Sequence, residues 1–207
     1  MTARTPVHAV LRVTREVGRL RKNEILAALR HALEVVGARR DVFRIVHYSL
    51  QHNHLHLLVE ASGTVELARG MQAFAISAAR AMNRAVGRTG RVFEHRYHST
   101  MVGTPRQARN VLAYVLGNWR RHNEDERSRA ARFDAIDRYS SAAVFPGWLS
   151  PTGGQPSSGG EEHHPLPVSP PRTWLLSTGW TKAGPPLDPW ATPGRSTRET
   201  ARDSPEC

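Results

Sequence analysis

From His54 to Val59 the chain reads His-Leu-His-Leu-Leu-Val, and the two-residue period in that run constrains the fold more than any other stretch. Successive side chains of a strand point to opposite faces. Leu55, Leu57 and Val59 therefore turn to a core, while His54 and His56 share the other face. Two imidazoles about 7 Å apart along one strand can converge on a single metal ion, given a third ligand from elsewhere. A downstream run supplies a candidate: in Tyr114-Val115-Leu116-Gly117-Asn118 the first and last residues stand one helical turn apart on one face. A phenol is a weak nucleophile at its free pKa. Beside a metal with an amide ligand it is equipped to attack a phosphodiester.

Around these runs the hydrophobic period switches repeatedly between 2 and 3.6. Val7 to Val17 alternates Ala9, Leu11 and Val13 against His8, Arg12 and Thr14, which predicts a strand. Asn23 caps a helix whose apolar face is Ile25, Leu29, Leu33 and Val36. Val42 to Leu50 and His54 to Glu60 predict a hairpin of two strands. Thr64 opens a long helix with Leu67, Met71, Phe74, Ala78 and Ala81 on one face, and Arg91 to Val102 reads as a fourth strand. Thr104-Pro105 with Gln107 is a capping box with proline in the first turn, opening a helix that buries Ala108, Val111, Leu112, Val115, Leu116 and Trp119. Strand, helix, strand, strand, helix, strand is the split βαβ plan. The expected fold is α+β and ferredoxin-like: a four-stranded antiparallel sheet with helices on one face, plus one additional helix. That fold hosts many activities and by itself names none.

Charge narrows the partner. Residues 1–150 hold 24 basic and 12 acidic side chains, whereas residues 151–207 hold 5 and 6. The positive field belongs to the first part and favours a polyanion such as nucleic acid. The composition changes at Pro151: 11 of the 14 prolines lie beyond Ser150. Two parts are therefore expected, a domain over 1–150 and a Pro/Gly-rich, largely disordered tail over 151–207. In that tail, 151–171 is a linker and Thr173 to Trp180 a docking segment. The single cysteine, Cys207, excludes an internal disulfide and a cysteine-based zinc cluster. No apolar run approaches the roughly 18 residues of a membrane span and no secretory signal is read, so a cytoplasmic protein without a membrane partner is expected.

Taken alone, a His-X-His pair on a strand is most often two half-exposed sheet histidines. Here the signals are cumulative. The chain resembles the HUH single-tyrosine transposases of the insertion-sequence-200-like class, and more closely the REP-associated tyrosine transposases. The resemblance is carried by His54-Leu55-His56, by Tyr114-Val115-Leu116-Gly117-Asn118, and by the linking segment Gly87 to His98. It covers about residues 5–123. It implies metal-dependent cleavage and rejoining of single-stranded DNA through a 5′-phosphotyrosine. Tyr114 would be the nucleophile, His54, His56 and Asn118 the ligands of a divalent Mn2+ or Mg2+, and single-stranded or hairpin DNA the partner. Homodimer and monomer both stay open. Trp119 stands where the family often has proline, and the tail has no counterpart in the minimal transposases.

Around the site, Arg88, Arg91 and Arg96 are candidates for tracking a DNA backbone and Tyr97 for stacking on a base; Arg120 and Arg121 form a second basic pair. His47 is either an outer group of the site or a surface residue, and His52 a spare imidazole at the turn. The competing reading is a domesticated nucleic-acid-binding protein of the same fold without transposition activity. An RNA-binding sheet module would need an aromatic-rich strand motif that is absent. Relaxases of the superfamily place the tyrosine before the histidine pair; here it comes after.

Overall fold

Alternating burial along Val7–Arg12 forms the first strand, β1, of the protein, a computed structural model that describes residues 5–37, 41–123, 136–149 and 166–194. It is followed by α1 (Asn23–Gly37), β2 (Phe43–Leu50), β3 (His54–Ala61), α2 (Thr64–Ala85), β4 (His98–Met101), α3 (Pro105–Arg121) and a short α4 (Trp174–Ser177). The sheet order is β2-β3-β1-β4, and every neighbouring pair is antiparallel. This is the expected split βαβ arrangement.

The strands differ from expectation at their ends. β1 stops at Arg12 because its partner begins at His54, which pairs with Arg12. The chain then turns through a 3-10 segment, Arg15–Val17. The fourth strand is shorter than Arg91 to Val102, since β1 offers it partners only from Val7 to Val10. Before it, a single bridge joins Phe93 to Val13. The Arg88 and Arg91 side chains there donate to loop carbonyls, those of Arg91 and Phe93 respectively.

One face of the sheet buries Val7, Ala9, Leu11, Leu55, Leu57 and Val59 against α1 and α2. The opposite face is covered too. Val46 and Leu58 pack there with Leu112 and Leu116 of α3 and with Leu175, Leu176, Trp180 and Leu187 of the C-terminal segment. Val46 faces that side by alternation with Ile45, and an irregularity in the β2–β3 register between Ile45 and His47 then returns Tyr48 to the main core. α3 starts as its sequence predicts: the Thr104 hydroxyl accepts from Gln107 N, and the Gln107 amide oxygen accepts from Gly103 N.

The C-terminal part contributes more to the described structure than its short expected docking segment. Residues 151–165 of the expected linker and 195–207 lie outside the described residues. Residues 166–171 lie along β2, with Leu166 buried and Ser169 N donating to Ile45 O at 2.9 Å. Buried Glu60 anchors the next two residues, accepting from Arg172 N, Thr173 N and the Thr173 hydroxyl at 2.8, 2.9 and 2.7 Å. A proline-rich segment has few backbone donors to satisfy. Burial of five apolar side chains, Leu166, Leu175, Leu176, Trp180 and Leu187, offsets its ordering. Tyr139 is a packing anchor: Arg21 lies 4.7 Å over its ring and makes a two-pronged pair with Asp137.

Two substitutions probe this packing. Alanine normally stabilises a helix interior by about 1 kcal/mol over glycine, but a Cβ on Gly70 of α2 would sit 2.1 Å from the Phe43 ring. We expect Gly70→Ala to lower stability by about 1–3 kcal/mol, read from the urea midpoint. Buried His47 bonds the Ser141 hydroxyl at 3.0 Å, and burial pushes its pKa down from 6.5 to about 4. The unfolded chain therefore binds more protons between pH 4 and 6.5, and folding loses stability as the pH falls through that window, by up to ~3 kcal/mol. In His47→Gln the slope of unfolding free energy against pH should flatten over that range.

Candidate nucleic-acid processing site

The even-numbered residues of β3 face α3. His54 and His56 come first, Leu58 meets the helix, and Glu60 holds the C-terminal segment. Because Leu58 docks against Leu112 and Leu116, the next turn of α3 is carried over the two histidines. Asn118 is completely buried there, with its amide nitrogen 3.1 Å from His56 Nε2. His54 Nε2 lies 3.0 Å from the same His56 nitrogen. One turn earlier, the half-buried Tyr114 ring meets His56 edge-on, with centroids 5.2 Å apart. The structure thus brings Tyr114, Asn118, His54 and His56 together.

The donor chemistry at this point suits a cation. His54 Nδ1 faces the amide oxygen of Asn53 at 3.0 Å. An oxygen there only accepts, so His54 carries its proton on Nδ1 and presents Nε2 as a bare lone pair. A hydrogen bond from His56 Nε2–H, or a cation shared by the two rings, fits the 3.0 Å between that lone pair and the second imidazole nitrogen. Asn118 Oδ1 is buried without a hydrogen-bond partner. A half-turn of the amide, whose two ends are nearly isosteric, would aim it at the same point. Burial, reinforced by neighbouring imidazoles, lowers the pKa of His56 to about 2. Burial, then His122 and Arg12, lowers that of His54 to about 4. Both rings are neutral near pH 7, the form that ligates metal. No group of three or more His, Cys, Asp or Glu able to hold a metal occurs among the described residues; the convergent set is two imidazoles and one amide.

Two further histidines complete the cluster and are not among the residues the sequence singles out. His8 Nε2 lies 3.0 Å from His56 Nδ1, the ring centroids 5.1 Å apart, and its ring makes a T-shaped pair with Tyr114 at 5.9 Å. His122 packs edge-on to His54 at 5.8 Å. The position of His122 is legible, since it continues the series 114, 118, 122 on one helix face. That of His8 depends on strand register: it pairs with Leu58 and lies diagonal to His56. His47 is neither surface nor part of the site, being buried against Ser141. His52 is exposed at the turn.

Among the basic candidates, Arg91 and Arg96 are exposed in the loop before β4, with Arg88 half-buried beside them. Tyr97 is half-buried against the main core. Arg121 is exposed and reaches Pro193 O at 3.4 Å. Arg120 differs from its expected role. Its guanidinium is buried between the Trp119 and Trp190 rings, at 4.5 and 4.6 Å, and its Nε donates to Pro189 O. It therefore faces the C-terminal segment rather than a phosphate. A cavity of about 730 Å³ opens beside Tyr114, lined by His8, Gln107, Asn110 and Arg121 among others.

The chain matches the family model described as IS200-like transposase over residues 2–118. The chain belongs to the IS200-like transposase family. A search among curated proteins finds no match. Among solved structures, a REP-associated tyrosine transposase bound to a REP hairpin is similar, with a TM-score of 0.50 and 17% identity over 82% of this chain and 95% of that one. At that identity the likeness is one of fold, and it agrees with the α+β, four-stranded antiparallel architecture. Membership of a transposase family makes the chain a DNA-processing enzyme. No helix among the described residues is long and apolar enough to cross a membrane.

The setting of Arg120 predicts its mutant. Arg120→Ala removes two cation–π faces and a hydrogen bond, so the C-terminal segment should loosen by about 1–3 kcal/mol. Protease should cut that segment earlier. The salt slope of DNA binding, which counts phosphate contacts, should stay unchanged.

Proposed function

We propose that the protein cleaves and rejoins single-stranded DNA through a covalent 5′-phosphotyrosine on Tyr114, with His54, His56 and Asn118 holding a divalent cation, Mn2+ or Mg2+. The observation that carries this reading is the meeting of Tyr114 and Asn118, one turn apart on α3, with the two imidazoles of β3. Membership of a transposase family supports the substrate class.

A divalent cation at the three donors would polarise the scissile phosphate and offset charge developing on it. The Tyr114 phenol oxygen forms a bond to phosphorus as the bond to the 3′ oxygen breaks. The phenol gives up its proton and the departing 3′ oxygen gains one. The tyrosine ester conserves the phosphodiester energy, so attack by a 3′ hydroxyl can rejoin a strand without ATP. Asn118 and Tyr114 share one rigid helix, which fixes the spacing between ligand and nucleophile. Arg88, Arg91, Arg96 and Arg121 supply charge for the backbone, and Tyr97 a ring for a base. The domain over 1–150 carries this machinery, and the C-terminal part braces it. The alternative, a binding protein without strand transfer, retains the charge but has no use for the buried donor set.

Incubation of a labelled hairpin-flanked oligonucleotide with Mn2+, followed by a denaturing gel, should show a covalent adduct in the wild type and none in Tyr114→Phe. Replacing both His54 and His56 with Ala should abolish cleavage and leave DNA affinity within about tenfold, or ~1.4 kcal/mol, because phosphate contacts carry the affinity. An adduct that survives in Tyr114→Phe, or cleavage that survives in the double variant, would overturn the assignment. Single-stranded or hairpin-flanked DNA should bind at least about tenfold tighter than blunt duplex at matched salt, since a splayed strand can enter the cleft and stack its bases.

A further inference from the structure

We infer that His8 is a positioning residue for the cation site, acting through His56; this rests on the proposed ligand set. Nε2 of His56 can bind a cation only as a bare lone pair, so in the loaded site the ring must carry its proton on Nδ1. That nitrogen is aimed at Nε2 of His8, 3.0 Å away. With the Nδ1 proton of His56 donated there, Nε2 of His8 is the acceptor and the proton of His8 rests on its own Nδ1. Each imidazole keeps one proton, and none is gained or lost.

The arrangement repeats, with a different acceptor, what Asn53 does for His54. Each ligand imidazole has its far nitrogen tied to a fixed neighbour, Asn53 Oδ1 for one and His8 Nε2 for the other. The two near nitrogens therefore face each other at 3.0 Å, with the Asn118 amide 3.1 Å from that of His56. Such partners set the tautomer and ring orientation of metal-ligating histidines and raise their basicity. The rings lie 24° from parallel with centroids 5.1 Å apart, which suits an in-plane hydrogen bond that restrains His56 against rotation. The T-shaped pair of His8 with Tyr114 places the same ring beside the proposed nucleophile. His8 is thus oriented by β1, touches both a ligand and the tyrosine, and contributes nothing directly to the convergent set.

Acceptor and ring can be separated. His8→Phe keeps the ring and loses the acceptor. His8→Gln loses the ring, while its amide oxygen can reach the place of Nε2. Mn2+ binding to the full chain, followed by the loss of the free-ion electron paramagnetic resonance signal, should weaken about 10- to 100-fold in His8→Phe. It should return to within a few-fold of wild type in His8→Gln. In cleavage assays the Mn2+ concentration for half-maximal rate should rise in parallel, with the rate at saturating Mn2+ largely kept. Thermal unfolding without metal checks that each variant is folded. If His8→Phe does not fold, the Gln variant still decides: affinity lost as far as in His8→Ala overturns the acceptor role. Wild-type affinity in a folded His8→Phe overturns it too, while leaving the ligand set standing. A wild-type protein that takes up no Mn2+ overturns the ligand set itself, and the role of His8 with it.

Discussion

The contact of Leu58 and Val46 with Leu112 and Leu116 is the interaction on which the rest of the molecule depends. A ferredoxin-like sheet needs only one covered face to fold, and α1 and α2 supply it here. The apolar patch on the second face is what seats α3, and it lies immediately beyond the histidine pair. A helix rises about 1.5 Å per residue, so a helix fixed at Leu112 and Leu116 has little freedom in where it carries Asn118. Site geometry is in this sense a packing outcome. The imidazoles and the amide do not find each other; hydrophobic docking one step along the strand delivers them.

The C-terminal segment closes α3 from the other side. Arg109 donates to Pro185 O, Arg120 to Pro189 O and Arg121 to Pro193 O. A Cβ on Gly117 would come within 3.1 Å of the Pro193 ring. Glycine between Leu116 and Asn118 thus lets the segment approach the helix closely one position from the proposed ligand. Prolines serve this use well. Their carbonyls remain free to accept from arginines while their backbones lose little entropy on ordering. The helix that holds the proposed nucleophile and a proposed ligand is clamped between sheet and strap, and Glu60, two residues beyond Leu58, ties the strap to the strand that holds the histidines.

Much of this was legible in residue order. The parity of Leu55, Leu57 and Val59 placed His54 and His56 on one face, and one-turn spacing joined Tyr114 to Asn118, because both are local geometry. The capping box at Thr104 located the start of α3 for the same reason. Non-local contacts were illegible. Leu57-Leu58 breaks the polar side of the alternation, and nothing in the sequence says that Leu58 is the seat of a helix. The irregularity between Ile45 and His47 hides which face receives Tyr48. Arg120 reads as half of a basic pair until Trp190, seventy residues on, is placed over it. His8 alternates with core residues as any strand histidine would, and only the β1–β3 register sets it against His56.

The make-up of the convergent set has a consequence for the chemistry. Two neutral imidazoles and an amide bring no negative charge, and burial keeps both rings unprotonated. Carboxylate ligands would neutralise a bound cation before the substrate arrived. Neutral donors at His54, His56 and Asn118 would leave the charge of a cation held there to be met by a phosphate. Asn118 Oδ1 is buried without a hydrogen-bond partner, which is costly for a polar atom. Such an atom is tolerated when a ligand resolves it. On the proposed ligand set, the nitrogen-rich donors would favour manganese over magnesium, since imidazole binds transition metals in preference to the harder ion.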